Sequence, residues 1–167
     1  MQTPYRVTTV CTGNICRSPM AEAVLRRAFE DENLGDRVEV DSAATSRWEL
    51  GSPIDRRAAA VLTRHGLSLD GHVARQFEPA WFHDRELVLA LDDGHFRQLR
   101  EWAPDADAAA KIHMLREFDP DAADDDLSIP DPWYGSSADF ERAWELIAAA
   151  VPGTVGYVEK QLAQRAV

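Results

Sequence analysis

Two hydrophobic periods organise the chain, and they alternate. Arg6-Val-Thr-Thr-Val10 is β-branched and predicts a strand. Ala21, Val24, Leu25, Ala28 and Phe29 then recur at helical spacing and predict a helix over about 19–32. Ser18-Pro19 reads as its cap, with proline in the first turn. Val38-Glu-Val-Asp41 predicts a second strand. Asp55 to His65 carries Ala58, Val61 and Leu62 on one face and meets Gly66 where a helix-ending glycine belongs. Leu87-Val-Leu-Ala-Leu91 is unbroken and apolar, as in a parallel strand covered on both faces. Asp92 or Asp93 can cap a helix through Phe96, Leu99 and Trp102 that Pro104 closes, and Lys111 to Leu115 predicts a fourth strand. Phe140, Trp144, Ile147, Ala148 and Val151 mark a last helix. The period continues through Val155, Val158 and Leu162, with a kink or break expected at Pro152, which cannot donate to the carbonyl of Ala148.

Four strands separated by helices or loops, joined by right-handed crossovers, predict an α/β fold: a four-stranded parallel sheet with helices on both faces. No repeat or linker divides the 167 residues, so residues 1–167 are expected to form one domain. No apolar run reaches membrane-spanning length, and the first twenty residues lack the basic-then-apolar layout of a secretory signal. The expected location is cytoplasmic, with export only by a non-classical route. The net charge of −11 argues against a nucleic-acid partner. Cys11 and Cys16 are too few for a disulfide scaffold. Glu117 to Asp131 holds seven acids in fifteen residues and reads as a solvated loop. It is not an EF-hand, because no glycine stands sixth from Asp119 or Asp121.

Chemistry concentrates between the first strand and the first helix, in Cys11-Thr-Gly-Asn-Ile-Cys-Arg-Ser18. Such a loop can curl so that successive backbone N–H groups face one centre, and the helix adds its positive end. Arg17 can fork onto two oxygens of an oxyanion. Cys11 would lie beneath the bound phosphorus, in positive surroundings that favour a nucleophilic thiolate without a histidine base. Gly13 allows close backbone approach. Asn14 is the residue besides glycine that best tolerates a left-handed backbone. No Gly-Lys-Ser/Thr follows, so a nucleotide P-loop is a poor competitor.

Val10-Cys-Thr-Gly-Asn-Ile-Cys-Arg-Ser-Pro19 resembles the signature loop of the low-molecular-weight protein tyrosine phosphatases, and Asp131-Pro-Trp-Tyr-Gly135 resembles their second signature. Asp41-Ser-Ala-Ala-Thr45, Trp48, Gly51-Ser-Pro-Ile-Asp55 with Arg57, and His72-Val-Ala-Arg-Gln76 are family-like in order and spacing. The resemblance spans roughly residues 5–163. It implies hydrolysis of phosphotyrosine in proteins through a phosphocysteine on Cys11. Arg17 and the backbone of residues 12–17 would hold the phosphate, and Asp131 would act as general acid and then base. Thr12, Gly13, Asn14, Ile15, Cys16 and Ser18 would line the phosphate site, with Ser18 donating to the Cys11 sulfur. Asn14, Ser42 and His72 would pin the loop. Trp48, Trp133 and Tyr134 would wall the entrance and stack on a phenyl ring. Cys16 would be a partner for a reversible, protective disulfide with Cys11. The resemblance implies no metal and no cofactor; the implied partners are tyrosine-phosphorylated proteins, with inorganic phosphate or similar oxyanions as competitors. Trp81, Trp102 and Trp144 are left to the core.

Three departures from the family pattern are Thr12 for the common leucine, Ala44 for glycine, and Trp133 for a frequent tyrosine; none removes a catalytic atom. Protein-arginine phosphatases share the loop but have threonine at the position of Ile15, whose apolar side chain suits an aromatic ring. Arsenate reductases of this fold need cysteines beyond Cys11 and Cys16. A phosphopeptide-binding module would have lost the nucleophile or the acid, and Cys11, Arg17 and Asp131 are all present.

Overall fold

The computed structural model describes residues 2–166. Its strands are β1 (Tyr5–Cys11), β2 (Val38–Ala44), β3 (Leu87–Ala90) and β4 (Ile112–Met114). They form one parallel sheet in the order β2-β1-β3-β4. The helices are α1 (Arg17–Asp31), α2 (Arg56–Arg64), α3 (Asp93–Trp102), the single turn α4 (Ala106–Ala109) and α5 (Ser137–Arg165). Two 3-10 turns, Pro79–His83 and Leu115–Phe118, complete the layers. No helix among the described residues is long and apolar enough to cross a membrane.

The two-residue alternation of a strand sorts the core. Val7, Val38, Val40, Leu87 and Leu89 enter one cluster with α1, α2 and α5. Val10, Ala43, Val88, Ala90, Ile112 and Met114 enter the other with Leu99 of α3, Phe77 and Phe82. The sheet is therefore covered on both faces, as the continuous apolar run of β3 predicts.

Several expectations are corrected in detail. β2 runs three residues beyond Asp41, through Ser42, Ala43 and Ala44, paired with β1 up to Cys11. Ala44 stands in regular strand there, so its methyl fits without special backbone. Ser18 does not cap α1; the helix begins at Arg17 and the Ser18 hydroxyl is engaged elsewhere. α5 runs through Pro152 without a break. Ile147, Val151, Val155, Val158 and Leu162 stay on one buried face across the proline, and burying them outweighs the roughly 3 kcal/mol that an interior proline costs. The acidic stretch is only partly solvated: Asp119 is buried, and the guanidinium of buried Arg116 donates to the carbonyl of Asp126. Trp81, Trp102 and Trp144 are half-buried at the margins of the two clusters, with Trp144 stacked on His65.

The strand order fixes where a site can form. The chain leaves β1 towards β2 on one side and returns to place β3 on the other. Crossovers thus diverge between β1 and β3, and the carboxyl ends of those strands frame a crevice. Cys11 ends β1, and Asp92 lies just past the end of β3.

Candidate active site

Residues 12–16 bridge β1 and α1 as an irregular loop. Its carbonyls are taken from outside: Thr45 donates to the Cys11 carbonyl at 2.9 Å, Ser46 to Thr12 at 3.1 Å and Asp55 to Ile15 at 2.8 Å. The amides of Thr12, Gly13, Ile15 and Cys16 have no backbone acceptor among the described residues. Donors are thereby left for the cleft, at the positive end of α1, which is the provision an anion requires. A Cβ at Gly13 would meet the Glu49 side chain at 3.3 Å, so glycine keeps that wall close.

Asn14 is the hub. Its φ is 59°, in the left-handed region that asparagine tolerates. Its amide nitrogen donates to the hydroxyls of Ser18 and Ser42, each at 2.9 Å, and its side-chain oxygen accepts from the Arg75 backbone at 3.1 Å. His72 donates through Nε2 to the Asn14 carbonyl at 2.7 Å. Ser18 Oγ lies 2.9 Å from the Cys11 sulfur and 3.4 Å from the Ala43 carbonyl, and against a thiolate the hydroxyl is the donor. The Asn14 backbone N–H points at the same sulfur from 3.3 Å. Ser42 passes its proton to Glu22 at 2.6 Å. Burial pushes the Glu22 carboxyl above its ordinary range, against the Ser42 hydrogen bond and Arg26. Every polar group of this buried network has a partner, the condition under which such a network specifies one conformation.

Arg17, buried at 3% exposure, is held along one edge only. Its Nη1 donates to Asp92 and to the Ile129 carbonyl, both at 2.8 Å. Nη2 turns towards Asp131, 3.7 Å away. Burial works against ionisation of Asp92. The His95 backbone N–H and the Arg17 guanidinium, which both donate to it, outweigh burial and hold that carboxyl below its usual range. Asp92 also caps α3 through the His95 amide. His95 Nε2 lies 2.8 Å from the Thr12 hydroxyl.

Asp131 stands opposite, 46% exposed at its side chain. It accepts from the Trp133 amide at 3.0 Å, a local turn that aims the carboxyl. Buried Ile129 and Pro132 anchor the segment, and the Ile129 amide donates to the Leu91 carbonyl at the end of β3. Arg57 holds its far side: the guanidinium donates to the Trp133 carbonyl at 2.9 Å and lies over the rings of Trp133 and Phe140.

Cys11, Thr12, Gly13, Ile15, Cys16, Arg17, Trp48, Glu49, Asp131, Trp133 and Tyr134 line one cleft of about 250 Å³. Trp48 and Tyr134 are almost fully exposed at its rim. Asn14, Ser18, Ser42 and His72 lie behind the loop wall. A larger groove of about 550 Å³ runs along the open edge of β2. Its arginines are already paired: Arg6 with Glu39 and Asp84, Arg26 with Glu22, Arg85 with Asp41 and Asp84. Among the described residues it therefore offers no free positive charge to an anion.

The expected site residues thus converge, and the structure adds Glu22, Arg75, Asp92, His95 and Glu49. Asp92 carried a readable signal, because it ends the strand next to β1 at the crevice where a parallel sheet collects its functional groups. His95 follows from it at one helical turn. Glu22 gives no such signal: a glutamate in an amphipathic helix reads as solvent-facing.

A cysteine, a loop with amides lacking backbone acceptors, one arginine fork and an opposing carboxyl thus meet at one cleft. Residues 6–165 match the family profile described as low molecular weight phosphotyrosine protein phosphatase. The low molecular weight protein-tyrosine-phosphatase of Streptomyces coelicolor is 52% identical over 162 residues, covering 97% of this chain and 98% of its own. The human low molecular weight phosphotyrosine protein phosphatase is 40% identical over 145 residues, 86% of this chain and 89% of its own. A crystal structure of a protein tyrosine phosphatase from Entamoeba histolytica, with Hepes in the active site, superposes with a TM-score of 0.88 at 27% identity, covering 94% of this chain and 98% of that one. The chain belongs to the low-molecular-weight phosphotyrosine protein phosphatase family. It is an enzyme of the hydrolase class, and the family implies phosphoprotein substrates.

Proposed function

We propose that this chain hydrolyses phosphotyrosine in proteins by a two-step reaction on Cys11. The thiolate attacks phosphorus, an S–P bond forms as the bond to the tyrosyl oxygen breaks, and Asp131 gives its proton to that leaving oxygen. Water then attacks phosphorus while the Asp131 carboxylate takes its proton. The S–P bond breaks and inorganic phosphate leaves. Arg17 and the loop amides hold the phosphoryl oxygens in both steps, where charge is greatest in the transition state. The observation that carries this reading is the aim of two donors, Ser18 Oγ at 2.9 Å and the Asn14 amide at 3.3 Å, at one sulfur. They are placed to hold negative charge on sulfur as it attacks and as it leaves.

Ile15 and the exposed rims of Trp48, Trp133 and Tyr134 favour an aromatic ring over a guanidino group. Hepes is a sulfonate, and its presence in the Entamoeba site supports oxyanions such as inorganic phosphate as competitive ligands here. Both cysteines are free, which suits a reducing cytoplasm. Burial pushes the Cys16 thiol up, so Cys16 fits a resolving partner that waits for an oxidised Cys11 rather than a second nucleophile. The whole chain acts as one phosphatase domain in this reading.

The test compares kcat/KM for a phosphotyrosine peptide and a phosphoarginine peptide, with Cys11→Ser alongside. The expected result is tyrosine activity that falls by on the order of 10⁴-fold or more in the variant while inorganic phosphate still binds. A preference for phosphoarginine would overturn the selective role of Ile15. Full activity without the thiol would overturn the mechanism.

A further inference from the structure

Thr12 and His95 lie 83 positions apart and meet at 2.8 Å in the wall of the cleft. The direction of that hydrogen bond can be worked out from the imidazole's other nitrogen. Nδ1 accepts a hydrogen bond from the Asp92 backbone N–H at 3.2 Å, whereas the Asp92 carboxylate oxygen 3.1 Å from the same nitrogen makes no hydrogen bond with it, so Nδ1 is assigned as unprotonated and the ring carries its hydrogen on Nε2. Nε2–H therefore donates to the Thr12 oxygen. Burial opposes charge on the ring and brings it down to about 4, against the pull of Asp92, so this neutral form holds at neutral pH. The Thr12 hydroxyl, accepting from His95, keeps its own hydrogen. No other partner for it occurs among the described residues, and Thr12 lines the cleft beside Cys11 and Arg17.

We propose that His95 is a positioning residue that fixes the Thr12 hydroxyl as a directed hydrogen-bond donor to the phosphate held by this loop. This rests on the phosphate-binding side of the function proposed above. The loop amides and Arg17 supply donors from the backbone and one guanidinium. The Thr12 hydroxyl adds one from a side chain whose orientation is set by α3. The same imidazole touches Asp92, which holds Arg17. Two routes from His95 to phosphate therefore exist, through Thr12 and through Asp92, and the test separates them.

Inorganic phosphate is titrated by calorimetry into the wild type, Thr12→Val, His95→Gln, His95→Ala and the Thr12→Val/His95→Ala double variant, each checked for folding by its melting curve. A hydrogen bond to a charged oxygen lost in Thr12→Val should weaken phosphate binding about tenfold. His95→Gln, which keeps an N–H at the end of the side chain, should retain most of the affinity, and His95→Ala should lose it. The double variant should bind no worse than Thr12→Val alone, because the imidazole acts through the hydroxyl. Wild-type affinity in Thr12→Val overturns the proposal. So does a His95→Ala loss that persists in full in the Thr12→Val background, which would assign the effect to Asp92 and Arg17. If His95→Ala does not fold, Thr12→Val and His95→Gln alone decide. The readout needs no turnover. A wild type that hydrolyses no phosphotyrosine, yet shows this binding pattern, would sink the phosphatase reading and support the Thr12–His95 pair.

Discussion

The two loops that face each other across the cleft are built on opposite plans. The phosphate loop is buried and tied from every direction: Asn14 alone engages Ser18, Ser42, Arg75 and His72, and its neighbours are bound by Thr45, Ser46 and Asp55. The Asp131 segment is exposed at Asp131, Trp133 and Tyr134. Its ties are the buried Ile129 and Pro132, the turn of Asp131 onto Trp133, and the grip of Arg57. The difference follows from the two tasks. Donors that stabilise charge must already be oriented when the charge appears, because reorienting them during reaction raises the barrier. A proton donor must reach an oxygen that arrives with the substrate and departs with the product, so it belongs on a segment open to solvent.

That contrast can be attacked from both sides. Asp131→Asn, which keeps shape and removes the proton, should lower kcat for a phosphotyrosine peptide by about 10²–10⁴-fold. Phosphate affinity should stay near the wild type, since Arg17 keeps Asp92 and Ile129. A comparable loss of phosphate affinity in a calorimetric titration would mean that the acid segment also builds the anion site, and the division of labour would fail. Asn14→Ala strikes the rigid side. It places alanine in left-handed backbone and leaves buried hydroxyls short of a partner, so urea melts should show a loss of roughly 2–4 kcal/mol. Asn14→Gly relieves the backbone strain and keeps the missing bonds, and the gap between the two variants measures the strain alone. A melt unchanged in Asn14→Ala would deny that the hub matters. The smallest effect is expected at Arg57→Ala. Freeing the exposed segment should cost about three-fold in kcat, as for lost positioning of a catalytic group, while the melting temperature stays put. A shift in melting temperature larger than that of Asn14→Ala would reverse the comparison.

Legibility in the sequence divides along the same line. Strand and helix periods mark all four strands and the main helices, because each buries a repeating face. The nucleophile, arginine and acid stand in short runs whose residue types fit their chemistry. The family resemblance already set Ser18 against the Cys11 sulfur and Asn14, Ser42 and His72 behind the loop, whereas position and period alone misplace several side chains. Ser18 looks like a cap by position, yet its hydroxyl is worth more to the Cys11 sulfur than to a helix end. Glu22 looks like a surface residue, yet one helical register step buries it against Ser42. Pro152 looks like a stop, yet the apolar face on both sides of it holds α5 together. Asp119 looks like one acid in a solvated run, yet it folds inward. For Glu22 a contact twenty positions along the chain decides, and local pattern carries no record of it.

The partners of Arg17 put the site on a clock. Its guanidinium depends on the Ile129 carbonyl, 112 positions later in the chain. Translation at about 5–20 residues per second therefore separates the two by roughly 6–22 s. Over that interval the nascent chain makes its nucleophile, the residues that tie the loop and Asp92, but neither the Ile129 carbonyl that completes the hold on Arg17 nor Asp131 to face the thiol. Only the last third of the chain brings the second partner of Arg17 and the facing acid, after all four strands of the sheet have been made.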